Sequence, residues 1–291
     1  MYWLLEKDIF DENLEGLISE IENIGDKHII CSYIPFDGGL KTDNNFSIPK
    51  IKSSIYENEP IFAYGSLQFI NYLKRSKLSV SYFCNSPQFE CSYYYPRFHS
   101  YLFQKDYAFF PYSEINRKRD WILQHIGRQG LVFCRPNSGE KTFTGTLIDS
   151  YKWNSDYQFI GSYGVKPETM CVVAEPQALL AECRFIVGSD YDDDKQKVIC
   201  GSYYKQYEVY TNEQIDKHHE AWRFVEHVLQ NIKYKPDPFW VIDVAIPVCL
   251  NTEWKVLEVG SISCSGLYGC NLELFVKSIS DYHKNEWKNN K

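Results

Sequence analysis

The chain has no long apolar run, no surplus of basic charge, no closely spaced cysteine pair and no glycine-rich phosphate loop. Each absence removes a class of protein. No segment approaches the about 18 consecutive apolar residues that a membrane span requires. Met1 to Phe10 contains Glu6 and Asp8 and lacks the uninterrupted apolar stretch of a secretory leader. A soluble cytoplasmic protein with no membrane partner is expected. Lys and Arg number 31 against 38 Asp and Glu, for a formal charge of −7. No long basic block supplies a footprint for a phosphate backbone, so no nucleic-acid partner is expected. The ten cysteines form no CxxC pair, which fits reduced thiols better than a disulfide framework. Cys84, Cys91 and His99 match no zinc spacing. Gly139-Glu-Lys-Thr142 lacks the loop and strand-to-helix setting of a P-loop, and Gly127-Arg-Gln-Gly130 is a fragment of a dinucleotide fingerprint. No G-x-S-x-G elbow or kinase motif set occurs. His218 and His219 are adjacent without an HExxH partner, which favours a surface or packing role over zinc.

What is present describes a globular protein. The 291 residues are 44% hydrophobic and 16% aromatic, enough for one large or two modest domains. Leu14, Leu17, Ile18, Ile21 and Ile24 recur at helical spacing, and Gly25 stops the run before the strand Lys27 to Ile34. After an Asp37-Gly-Gly39 turn, Pro60 to Tyr64 predicts a second strand, and Gly65-Ser66 opens a helix over Leu67 to Leu73. That opening is either an anion site or a plain strand-to-helix turn. Residues 81 to 113 are dense in Tyr, Phe and Pro without a period, so they read as irregular structure packed over other elements. A short helix is predicted over Asn116 to Ile126, and strands over 170–174, 179–187 and 198–204, with the acidic run Asp190 to Asp194 as a hairpin turn. Thr211-Asn-Glu-Gln214 has the form of a capping box opening a long helix that ends before Pro236. A last helix is predicted over Asn271 to Ile279, with a frayed tail after Asp281.

Chemistry concentrates in three places. Phe239 to Ile246 and Trp254 to Ser261 read as strands covered on both faces, each carrying one acid, Asp243 and Glu258. A hairpin centred between Leu250 and Asn251 would set these residues opposite each other. Two buried carboxylates side by side are costly without a proton or a cation, so a divalent-metal site is one reading and two unrelated acids the other. Leu131 to Arg135 and Lys141 to Ile148 predict a hairpin which, centred on Ser138, pairs Arg135 with Lys141. Such a pair either holds an anion, a polyphosphate for example, or slips register and points to solvent. Arg184 shares a strand face with Glu182, either as a structural ion pair or as part of a site.

Cations on mid-chain hairpins followed by two acids on late strands resemble the ATP-grasp superfamily. The similarity is closer to its clade named for two arginines and a lysine, here Arg135, Arg184 and Lys141. It extends to Tyr-Gly-Ser at 64 to 66, Val-Val-Ala-Glu175-Pro, and Glu258-Val-Gly-Ser-Ile-Ser-Cys-Ser-Gly-Leu-Tyr268. The resemblance implies an α+β fold with two subdomains sandwiching a nucleotide, after a small α/β domain. The elements of the first about 110 residues already read as a small α/β domain with a boundary near Pro111, so the division expected is 1–112, 113–285 and a tail 286–291. By the same resemblance, Lys141, Arg135 and Arg184 hold phosphates, with both arginines also acting on the acyl phosphate. Glu175 borders the adenosine, and Asp243 and Glu258 bind Mg²⁺. The implied activity is ATP- and Mg²⁺-dependent joining of a carboxylate-bearing to an amine-bearing substrate, each a small molecule, peptide or protein. Gly260 stands where many ATP-grasp sites carry a metal-binding Asn. That departure keeps open an ATP-binding protein without ligase activity. A module that binds a partner through residues 81–113 is the third reading.

Overall fold

The computed structural model describes residues 1–34, 39–42, 59–76, 78, 80–206, 209–248 and 253–290. The Asp37-Gly-Gly39 turn falls largely outside them, as does the centre of the predicted hairpin at Leu250 and Asn251.

The described strands are β1 (Tyr2–Glu6), β2 (Lys27–Ile34), β3 (Gly39–Thr42), β4 (Ile61–Tyr64), β5 (Tyr107–Pro111), β6 (Leu131–Pro136) and β7 (Thr146–Asp149). They continue with β8 (Met170–Ala174), β9 (Leu179–Asp190), β10 (Asp193–Gln206), β11 (Val209–Tyr210), β12 (Gln214–Ile215), β13 (Phe239–Pro247) and β14 (Lys255–Ser261). The helices are α1 (Asp11–Asn23), α2 (Leu67–Ser76), α3 (Cys91–Phe98), α4 (Tyr112–Arg117), α5 (Arg119–His125), α6 (Trp153–Gly161), α7 (Glu220–Asn231) and α8 (Leu272–Asn289).

Three sheets result. The first, in the order β3-β2-β1-β4, is parallel except for the edge strand β3. Its central strand β1 is short and close to the start of the chain, and sequence pattern alone does not reveal it. Trp3, Leu4 and Leu5 are nevertheless fully buried, as expected of a strand covered on both faces. The second sheet runs β11-β10-β9-β13-β14 with β12 beside β10, and the third runs β5-β8-β6-β7. Both are antiparallel.

The second sheet holds the molecule together because both of its faces are covered. Trp240, Ile242 and Val244 point to one side, against Val225 and Val228 of α7 and Tyr94, Tyr95 and Phe98 of α3. Phe239 and Val241 point to the other, where Trp3, Leu5 and Phe62 of the first sheet meet Phe275 and Ile279 of α8. Each large side chain buried in this way contributes roughly 1.5–3 kcal/mol.

Three local predictions fail for tertiary reasons. The aromatic stretch contains a helix, α3, despite Pro96 within it; burial of Tyr94, Tyr95 and Phe98 outweighs the backbone bond that proline removes. The apparent capping box at Thr211 opens no helix. Gln214 and Ile215 instead pair with Ser202 and Gly201, and α7 begins later, with His219 Nδ1 accepting from the Ala221 amide at 3.1 Å. The last helix continues to Asn289, because His283 stacks on Phe83 at 5.1 Å and Lys284 reaches Asp26 at 2.7 Å. Among the described residues no helix is long and apolar enough to cross a membrane.

Candidate functional site

Three neighbouring strands carry the centre of the site. Arg184 on β9 lies opposite Asp243 on β13, and Asp243 lies opposite Glu258 on β14. The register expected for the two acids is therefore the one observed. Leu257 is the extra residue of a β-bulge, since Asp243 pairs with Glu258 while Val244 pairs with Val256. A bulge re-aims the side chains beside it, and here Glu258 faces one cavity while Leu257 lines another.

Each acid is held by a cation. Arg184 donates to both Asp243 oxygens, at 2.8 and 2.7 Å, and its remaining Nη1 donates to the Gly266 carbonyl at 2.9 Å. The guanidinium also stands over the ring of Tyr268 at 4.9 Å, and Tyr268 stacks on Tyr204. Planar bidentate pairing with aromatic support is a geometry that arginine satisfies and lysine does not. The acid that Arg184 holds is thus on the neighbouring strand rather than at Glu182 on its own. Glu182 accepts from the Tyr204 hydroxyl and lies 3.9 Å from Lys205.

Glu258 receives its cations from the third sheet. Arg135 Nη2 is 3.1 Å from its Oε1 and Lys141 Nζ is 3.9 Å from the same atom. The hairpin that presents them is not centred on Ser138. Cys134 pairs with Thr146 rather than Thr142, so Arg135 and Lys141 are not cross-strand partners. Phe143 explains the shift: it is 2% exposed, packed among Val132, Cys134 and Ile148, and it draws the segment after Asn137 out of the ladder into a longer loop. The two cations still converge on one carboxylate. Burial raises the Glu258 carboxyl, but the charges of Arg135, Lys141 and Arg184 outweigh it and bring the pKa down to about 2.

Lys141 (φ 47°) and Tyr268 (φ 51°) are two of the four non-glycine residues with positive φ among the described residues. Such backbone outliers persist only where surrounding structure enforces them, and they cluster at working sites. Lys141, Arg184, Asp243 and Glu258 line one cleft of about 490 Å³, which reaches Glu6 and Ser66 on the first sheet and helix α2. The amide at the start of α2 is already occupied, since Ser66 N donates to the Glu6 carboxylate. The strand-to-helix turn thus holds an anion that belongs to the chain itself.

Glu175 stands apart from this cluster. It is 6% exposed and paired with Arg128. It borders a second cavity of about 340 Å³ that Phe103, Phe133, Leu147, Pro176 and Leu257 make largely apolar.

Residues 113–278, more than half the chain, match family 2 of the ATP-grasp domain clade named for two arginines and a lysine. The chain belongs to this ATP-grasp clade. No curated protein matches this ATP-grasp chain in sequence. Solved structures of the same fold do match. The D-cycloserine synthetase DcsG is 10% identical over 97% of this chain and 99% of its own, with a TM-score of 0.61. The VanG D-Ala:D-Ser ligase of Enterococcus faecalis is 12% identical over 98% and 97%, with a TM-score of 0.56. An N5-carboxyaminoimidazole synthetase of Staphylococcus aureus complexed with ADP is 12% identical over 89% and 69%, with a TM-score of 0.52. The α+β ATP-grasp fold implied by the sequence is the fold observed.

Two features of this ATP-grasp site bear on a metal. Among the described residues, no three His, Cys, Asp or Glu side chains gather as a ready-made cation cage. The nearby Ser261 hydroxyl is turned away, donating to the Phe83 carbonyl at 2.6 Å. The donors offered are thus two carboxylates, a set that suits Mg²⁺ when substrate phosphates and water complete its shell. Tyr268, Tyr204 and Arg128 are the site residues that sequence reading leaves without a role. Tyr268 falls inside the quoted 258–268 motif, but only the fold shows its ring against Arg184.

Proposed function

We propose that the chain binds ATP with Mg²⁺ and joins a carboxylate to an amine through an acyl phosphate. The observation that carries this reading is the in-line array Arg184–Asp243–Glu258, closed by Arg135 and Lys141 on the cleft that Asp243 and Glu258 share. Three cations face two acids there, leaving one positive charge in the cluster before any ligand arrives. An incoming triphosphate offers Arg135, Lys141 and Arg184 stronger anionic partners, and the acids they release are then free for a cation. Bound Mg²⁺ supplies charge neutralisation of the phosphates, held through Asp243 and Glu258. The base is assigned to the cavity beside Glu175, where Phe103, Phe133, Leu147 and Leu257 offer apolar contact.

In the reaction proposed, a substrate carboxylate oxygen attacks the γ-phosphorus and ADP leaves. The amine then attacks the acyl carbon, phosphate leaves, and the amine nitrogen gives up its proton. Arg135 and Arg184 stabilise charge on the transferring group. Closure of the cleft over the bound substrates would exclude water, which otherwise hydrolyses the acyl phosphate. Calorimetry with ATP and Mg²⁺ tests the binding: Lys141→Ala and Asp243→Ala are each expected to weaken it at least about tenfold, and unchanged affinity in both variants rejects the site.

A second reading, nucleotide binding without ligation, draws support from Gly260 and the diverted Ser261 hydroxyl. A Cβ at Gly260 would meet Val241 Cγ2 at 3.3 Å and Ser265 Oγ at 3.7 Å, so a small side chain needs only slight adjustment there. Tight ATP binding by the native chain with no ADP release across broad acid and amine panels favours this reading; ADP release that requires both substrates favours ligation.

A further inference from the structure

The cleft is also lined by two thiols that the proposed reaction does not use, Cys84 and Cys264. Cys264 ends the short turn Ile262–Cys264 that follows β14. The backbones around both residues are stitched together. Phe83 N donates to Ser263 Oγ at 2.9 Å, and Ser261 Oγ donates to the Phe83 carbonyl at 2.6 Å, both buried. The two thiols flank these bonds, Cys84 next to Phe83 and Cys264 next to Ser263, with Cys264 Sγ 3.2 Å from the Ser261 hydroxyl, and each thiol bears on the protonation of the other. On the other side of Cys84 stands Lys74, with Nζ 3.5 Å from its Sγ, anchored by the Cys84 carbonyl at 2.9 Å and Ser86 Oγ at 3.2 Å.

A thiol facing a fixed ammonium on one side and a second thiol on the other is set up as a thiolate. The hydrogen bond from Cys264 lowers the Cys84 pKa, burial opposes it, and Lys74 adds to the lowering, for a result of about 6. Cys264 shifts the opposite way, up, because its proton is the one shared with Cys84 and because it is buried. The Lys74 ammonium at the Cys84 sulfur marks that thiol as the nucleophile.

We propose that Cys84 is a thiol-oxidation site, with Cys264 as the thiol that resolves it into a disulfide across the wall of the cleft. In the first step the Cys84 thiolate attacks one oxygen of hydrogen peroxide. The S–O bond forms, the O–O bond breaks, and the departing hydroxide takes a proton to become water. In the second step the Cys264 sulfur attacks the Cys84 sulfenic acid. The S–S bond forms, the S–O bond breaks, and the oxygen leaves as water with the Cys264 proton. Two thiols and one peroxide give one disulfide and two waters. The bond ties the segment ahead of α3 to the turn directly after β14, so it fixes one wall of the cleft that Glu258 faces.

Cys134 and Cys171 form an internal control. Their thiols are also neighbours, but both side chains are buried in the core of the third sheet and neither lines the cleft. The experiment is limited oxidation of the full chain by hydrogen peroxide at neutral pH, followed by alkylation and peptide mapping without reduction. The Cys84–Cys264 peptide is expected to be the first cross-link to accumulate. Cys264→Ser should stop at a Cys84 sulfenic acid that dimedone traps. Lys74→Met, which keeps the aliphatic stem, should slow the reaction about tenfold, whereas Lys74→Arg should largely retain it. Circular dichroism establishes that each variant is folded. Labelling of the native chain with iodoacetamide gives a readout without substitution, with Cys84 reacting first. Cross-linking of Cys134 to Cys171 at an equal or greater rate overturns the proposal. So does a Cys84 that alkylates no faster than the other thiols.

Discussion

The two halves of the charge cluster are built differently. Arg184 and Asp243 sit on the central strands of a sheet covered on both faces, with side chains only 10% and 5% exposed. Every guanidinium contact is fixed by the register, a carbonyl or a ring. Lys141 reaches Glu258 from a loop, at 3.9 Å and with 66% of its side chain exposed. The sheet pair is a buried bidentate one with little solvent to screen it; the loop pair is longer and solvent already screens it. If the cleft takes a triphosphate as proposed, the screened loop pair gives way readily and the buried pair only to a stronger anionic partner.

The contrast is open to direct attack. Asp243→Ala should be the most damaging change, because it leaves the Arg184 guanidinium buried without its bidentate partner. A loss of about 3–5 kcal/mol in urea unfolding is expected, with Asp243→Asn milder. Glu258→Gln comes next. The native carboxyl is depressed from 4.5 to about 2, so its contribution is present in full above pH 4.5 and fades as pH falls toward 2. It amounts to something on the order of 3 kcal/mol. Stability measured between about pH 5 and pH 3 should fall less steeply in Glu258→Gln than in the native chain. An equal slope would mean that Arg135 and Lys141 do not hold this acid.

Lys141→Ala should separate stability from binding. An exposed pair contributes at most about 1 kcal/mol, so the urea midpoint should barely move while ATP affinity falls about tenfold. If stability and binding fall together, the loop pair is as structural as the sheet pair and the contrast collapses. The smallest effect concerns the backbone. Lys141→Gly should be more stable than Lys141→Ala by about 1 kcal/mol, because glycine adopts the positive φ without strain. Equal thermal stability of the two variants would show that the loop adjusts freely at this position.

The legible part of the site was the part written in a single period. Asp243 and Glu258 stand in apolar runs long enough to be read as strands, and a hairpin centred between Leu250 and Asn251 sets the two acids opposite each other, as observed. The order of cations and acids also carried the family. What escaped depended on partners distant in sequence. Which cation each acid holds follows from β9 and the loop after β6 arriving at β13 and β14. The loop after β6 departs from the local pattern because the inward pull of Phe143 exists only once the third sheet is assembled. Helix α3 escaped because Pro96 and the neighbouring aromatics mask the helical spacing of Cys91, Tyr94, Tyr95 and Phe98, the four residues it buries.

Local sequence therefore determined most of the strands, the long amphipathic helices and the residue types gathered at the cleft, because period and polarity act within a few residues. Tertiary structure decided where β1 lies, where α7 begins and α8 ends, and how Arg135, Lys141 and Arg184 divide two acids among them. Those outcomes are set by burial and charge pairing between segments as much as 277 residues apart, as in the bond from Trp3 to Ser280. Hydrophobic and electrostatic contacts of that kind depend on distance in space and carry no local signature in the chain.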